Sequence, residues 1–98
     1  MRSAMALDNV IPTEFSLSAY PNPFNPVTTI QFSLKAPGEV TLSIFNMEGQ
    51  GVRDLARNYY DAGNYTVRFD AGDLPSGIYF ARLDVEQFSI AKKMVLLK

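Results

Sequence analysis

The stretch VTTIQFSLKAPGEVTLSIFN, residues 27–46, alternates apolar and polar side chains twice, with a proline–glycine break between. Ile30, Phe32 and Leu34 fall on one face of an extended chain, and Thr29, Gln31 and Ser33 on the other. After Pro37 and Gly38 the pattern restarts, with Val40, Leu42 and Ile44 opposed to Thr41 and Ser43. A period of two marks a strand with one buried face. Proline fixes φ and glycine frees the backbone, so the break between the two runs is a turn.

The same pattern recurs outward from this stretch. In NYTVRFD (64–70), Tyr65, Val67 and Phe69 share a face, and in GIYFARLDV (77–85) Tyr79, Ala81, Leu83 and Val85 do so. FSIAKKMVLL (88–97) alternates less cleanly, and its apolar run Met94–Leu97 predicts cover on both faces at the end of that strand. FSLSAY (15–20) and QGVRDLA (50–56) are weaker strand candidates, and Tyr59 and Tyr60 fall in a turn-like region. Turn signals at MEGQG (47–51), DAGN (61–64) and DLPSG (73–77) separate the runs. No window shows a helical period. About seven short strands, about 8–12 residues apart, predict an all-β sandwich.

Composition bounds the function classes. The chain has 98 residues, 47% hydrophobic and 19% charged, which suits one soluble domain with one core. A net charge of −1 gives no electrostatic reason to expect nucleic acid or an anionic membrane as partner. There is no cysteine and no histidine. The commonest general base and the commonest transition-metal ligands are therefore missing. No apolar stretch is long enough to predict a transmembrane segment. MRSAMA (1–6) lacks a sustained apolar region, so it does not read as a signal peptide; it reads as an expression scar. That leaves residues 7–98 as the domain.

No residues assemble into a catalytic pattern. Asp61, Asp70 and Asp73 offer oxygens to calcium, but their spacing is not that of an EF-hand, and turn-forming aspartates are the plainer reading. Ser76 has no base to activate it. Tyr59, Tyr60 and the outward Phe45 could stack on sugars, but a chain without tryptophan needs its aromatics mainly for the core. Lys92 and Lys93 admit two readings, protection of an exposed strand edge or recognition by an acidic partner, and both stand at this point. No cofactor or metal is expected, and the domain is expected to be a monomer and not an enzyme.

AYPNPFNPVT (19–28) holds Pro21, Pro23 and Pro26, with Asn22, Phe24 and Asn25 between them. Three fixed φ angles make the run stiff and extended. It could be a linker, a ligand loop or a brace. The brace is favoured, with Tyr20 and Phe24 plugging the sandwich end and the two asparagines capping neighbouring backbone.

From YPNPFNPVTTIQFSL (20–34) onward the chain resembles the type A C-terminal sorting domains of the type IX secretion system, the Por secretion family of Bacteroidota and related bacteria. VTLSIFNMEGQGVRDL (40–55) is similar to the family's middle block, AGNYTVRFDAGDLPSGIYFARLDV (62–85) to its Gly-Tyr block, and KKMVLLK (92–98) to its ending. The resemblance spans about residues 11–98. Ala19 stands where many relatives carry asparagine, and Gly51 adds a second glycine after Gln50.

The resemblance implies an immunoglobulin-like antiparallel sandwich of seven strands. It implies a domain at the end of a secreted cargo protein, read as a folded address by outer-membrane translocation machinery. A sortase-like peptidase would then cut upstream, near residues 7–19, and the cargo would pass through the periplasm and outer membrane to the cell surface or beyond. Lys92, Lys93, Met94, Val95, Leu96, Leu97 and Lys98 are the recognition candidates. Pro21, Asn22, Pro23, Phe24, Asn25, Pro26, Gly49, Gly63, Gly77 and Tyr79 are expected to make the fold. The competing expectations are a carbohydrate- or surface-binding accessory module of a polysaccharide-degrading enzyme, and a structural spacer.

Overall fold

A computed structural model describes residues 11–98; the boundary expected after residue 6 lies outside the described residues. Seven strands follow in order: β1 (Ser16–Tyr20), β2 (Val27–Leu34), β3 (Gly38–Asn46), β4 (Gly51–Tyr60), β5 (Gly63–Asp70), β6 (Gly77–Val85) and β7 (Phe88–Leu96). They form two antiparallel sheets, ordered β1-β2-β5 and β4-β3-β6-β7. This is an immunoglobulin-like sandwich. Its fourth strand pairs with the third, whereas the constant-domain arrangement places the fourth beside the fifth.

The alternating residues dictate this packing. Ile30, Phe32 and Leu34 of β2, Val40, Leu42 and Ile44 of β3, and Tyr79, Ala81, Leu83 and Val85 of β6 are all buried. They interlock between the sheets with Leu17, Phe24, Phe69, Ala71, Met94 and Leu96. A fully buried side chain of this size stabilises by about 1.5–3 kcal/mol relative to exposure. Three connections (β2 to β3, β4 to β5, β5 to β6) cross between sheets, while β3–β4 and β6–β7 are hairpins within one.

The β3–β4 hairpin turns at Gly49, whose φ of 85° favours glycine. Asn46 Oδ1 accepts the Glu48 and Gln50 amides there, at 3.0 and 2.9 Å. The β6–β7 hairpin has two loop residues, and its first, Glu86, holds a φ of 54° without being glycine. The Glu86 carboxylate accepts the Glu39 amide at 2.8 Å and lies against Gly38, where an added Cβ would meet it at 2.8 Å. A side-chain bond to β3 thus holds a residue in a conformation that its own side chain disfavours.

Two expectations are corrected here. Tyr59 and Tyr60 end strand β4 and do not sit in a turn. This strand lies at a sheet edge, and two register shifts against β3 scramble its alternation, which hid its length. The cover over β7 is also one-sided at its tip: Met94 and Leu96 are buried and Val95 half-buried, but Leu97 is 53% exposed.

Candidate functional site

Strand β7 carries the recognition candidates, and the proline run holds it. The run leaves β1, crosses from one sheet to the other, and lays Phe24 parallel to β7 opposite Leu96. The Phe24 amide donates to the Val95 carbonyl at 2.9 Å, and the Leu97 amide donates to the Phe24 carbonyl at 2.9 Å. Asn22 extends the pairing with its side chain: Nδ2 donates to the Lys93 carbonyl at 2.8 Å and Oδ1 accepts the Val95 amide at 3.0 Å. These four bonds close the edge of β7 from Lys93 to Leu97, each adding about 0.5–1.5 kcal/mol net. Pro23 faces away by alternation and has no N–H to offer a further strand.

The clasp is also anchored behind. The Phe24 ring is buried, 5.9 Å from that of Phe69. Thr28 Oγ1 donates to the Pro21 carbonyl at 2.8 Å, and the Ala71 amide to the Pro26 carbonyl at 2.9 Å. Tyr20, expected to plug the sandwich end, points outward instead and is 80% exposed. Its place in β1 puts it on the face opposite Leu17, so only Phe24 plugs. Asn25 is exposed, and among the described residues its side chain makes no hydrogen bond.

The candidates on β7 divide by face. Lys93 lies opposite Phe80 on the outer face, and Lys92 lies opposite the buried Ala81, on the rim between the sheets. The pleat therefore separates two lysines that the sequence presents as a pair. Neither has an acidic partner among the described residues. Lys98 Nζ donates to the Gly72 carbonyl at 2.7 Å, which ties the tail to the β5–β6 connection. Met94 and Leu96 belong to the core, so they present nothing to a partner.

The remaining candidates are placed as follows. Gly63 and Gly77 open β5 and β6. The Tyr79 hydroxyl donates to the Pro75 carbonyl at 2.6 Å, the tyrosine-corner bond of immunoglobulin-like sandwiches. Asp70 Oδ1 accepts the Gly72 amide at 2.9 Å, a turn role. Asp73 pairs with Arg53, whose hydrogen bond holds its carboxyl below the usual aspartate range. Among the described residues no three acidic side chains gather as metal ligands. Tyr60 packs edge-on against Phe32 and Tyr65, while Tyr59 is 56% exposed. Phe45 lies outward, half-buried, with the Arg82 guanidinium 5.6 Å from its ring centre.

Sequence reasoning did not find the pairing of Asn22 and Phe24 with β7, which joins residues over seventy positions apart. The one available signal is the alternation of proline with other residues, which removes the backbone donors of Pro21 and Pro23 and keeps that of Phe24, which β7 accepts.

The sequence matches the family described as "Secretion system C-terminal sorting domain" over residues 18–97. Among solved structures, it is similar to PorZ of Porphyromonas gingivalis, described as an essential bacterial surface component of the type-IX secretion system. The identity is 20% and the TM-score 0.56, covering 98% of this chain and 12% of that one. A second likeness is to the alkylpurine DNA glycosylase AlkC of Pseudomonas fluorescens bound to DNA, at 14% identity and TM-score 0.50. It covers 85% of this chain and 29% of that one. At these identities both show the fold alone. No curated protein matches the chain.

Proposed function

The chain belongs to the secretion system C-terminal sorting domain family, and on that premise we propose that residues 7–98 form a non-catalytic address. The translocation machinery of the type IX system reads it in the folded state and carries an N-terminally attached cargo protein out of the cell. The destination is the cell surface, with a sortase-like peptidase acting upstream of β1.

The observation that supports this reading most is the construction of β7. Its core residues and its clasp fix the strand on both sides, while Lys92, Lys93 and Leu97 remain exposed on it. Such a strand offers a partner preformed geometry, which lowers the ordering cost of recognition. A free tail of the same residues would have no fixed shape. Removing residues 92–98 takes Met94 and Leu96 out of the core, so that deletion tests folding and recognition together.

The test fuses the chain behind a signal peptide and reporter in a host with the type IX machinery. The reporter is expected at the cell surface or in the medium, and in the periplasm when the translocation machinery is deleted. An intact fusion that stays periplasmic in the competent host overturns the proposal.

A further inference from the structure

The two sheets present different outer faces. On β4-β3-β6-β7 the outward positions include Asp54, Arg57, Arg82, Asp84 and Lys93. On β1-β2-β5 the register aligns Ser16, Ser33 and Asn64 in one row and Ser18, Gln31 and Thr66 in the next. These six side chains are hydroxyls or carboxamides with no charge among them, and all but Ser33 are exposed. A groove of about 320 Å³ lies over both rows. The third row is Tyr20, Thr29 and Arg68, so the exposed Tyr20 ring stands about 7 Å along the strand from Ser18.

We propose that this face binds an uncharged, unbranched polysaccharide chain, held by the two polar rows and stacked on Tyr20. This goes beyond the sorting role and does not depend on it. Sugar hydroxyls both donate and accept, as do serine, threonine, asparagine and glutamine, so each row can bond a sugar without a charged partner. Among the described residues, one bond on this face is internal, from Ser33 Oγ to Asn64 Oδ1 at 2.8 Å. The other four side chains, Ser16, Ser18, Gln31 and Thr66, keep their hydrogen-bonding capacity. The groove runs over both rows of mostly short side chains, which suits a linear chain and disfavours branches.

The apolar face of a pyranose ring stacks on an exposed tyrosine. Neither polar row carries a lysine or arginine, and the nearest cation, Arg68 in the row of Tyr20, faces the Asp70 carboxylate at 4.0 Å, so the two rows themselves offer phosphate no charge-assisted partner. Charge complementarity therefore points to a neutral glycan from the surroundings. Edge strand β1 also carries no charged residue, although charge is the usual protection of such an edge.

The test titrates the intact chain calorimetrically with cellohexaose and mannohexaose, using polygalacturonate and phosphorylated lipopolysaccharide as charged comparators. At least one neutral hexaose is expected to bind at millimolar affinity or better. Tyr20→Ala is expected to weaken that binding about fivefold. Ser18→Glu with Thr66→Glu is expected to abolish it at an unchanged urea midpoint, and Tyr59→Ala to leave it intact. The proposal is overturned if neither hexaose binds or only the charged comparators bind. It is equally overturned if hexaose binding survives the Ser18→Glu, Thr66→Glu change.

Discussion

From Lys93 to Leu96, β7 is paired along both edges, by β6 on one side and by Asn22 and Phe24 on the other. From Phe88 to Lys92 it is paired only with β6. There the other edge is guarded by side chains: Phe88 stacks on Phe15 with ring centres 4.6 Å apart, and Lys92 stands exposed at the rim. A single strand thus uses two devices against stray pairing, a covering segment and a charged edge. The difference assigns the proline run its role. It acts as a short substitute strand whose free side has been made inert.

The comparison can be broken most severely at Phe24. Phe24→Ala empties a buried site and loosens the main-chain bonds to Val95 and Leu97, so a loss of about 3–5 kcal/mol is expected in urea unfolding. A loss below about 1 kcal/mol would show that the clasp is not part of the cooperative fold. Asn22→Ala removes two bonds and is expected to cost about 1–2 kcal/mol, with faster hydrogen exchange at the Val95 amide and no change at Ser89 or Ala91. Asn22→Asp keeps the acceptor for Val95 and loses the donor to Lys93, so its midpoint should fall between wild type and alanine.

Tyr79 lies opposite Met94, beside the closed half. Tyr79→Phe deletes only the bond to the Pro75 carbonyl, and a loss of about 1 kcal/mol is expected from the same unfolding curves. In the open half, Lys92→Glu with Lys93→Glu replaces one edge-guarding charge by another, so stability should stay within about 0.5 kcal/mol. The smallest effect concerns Asp73, whose lowered pKa makes its contribution present above the ordinary value of 3.8. That contribution is lost as pH falls from 3.8 through the lower folded value. Acid titration of Asp73→Asn should lack this slight slope, and the wild type should show it.

The closed core was readable because each of its strands buries one face, and Ile30–Leu34, Val40–Ile44 and Tyr79–Val85 announce that by period two. The sequence pattern shows less than the full length of β4 because an edge strand with shifted register has no consistent buried face. The stiffness of Pro21–Pro26 was legible from its prolines. Its docking on β7 was not, because the Asn22 and Phe24 contacts reach across more than seventy residues and no local pattern encodes them. Tyr20 was misplaced for a related reason: an aromatic beside a buried aromatic gives no sign of which face it takes until the register of β1 is known. The division of Lys92 from Lys93 follows from the pleat, once β7 is known to remain a regular strand through both.

The claim that the exposed side chains of β7 are the address meets its most direct test in the Lys92→Glu, Lys93→Glu variant, fused to a reporter in the type IX host. Charge reversal preserves edge protection and inverts any attraction to an acidic receptor. The account predicts a domain that unfolds at the wild-type urea midpoint and a reporter retained in the periplasm. A variant with that same midpoint, exported as well as the intact domain, would contradict it and leave the two lysines as guards of the edge alone.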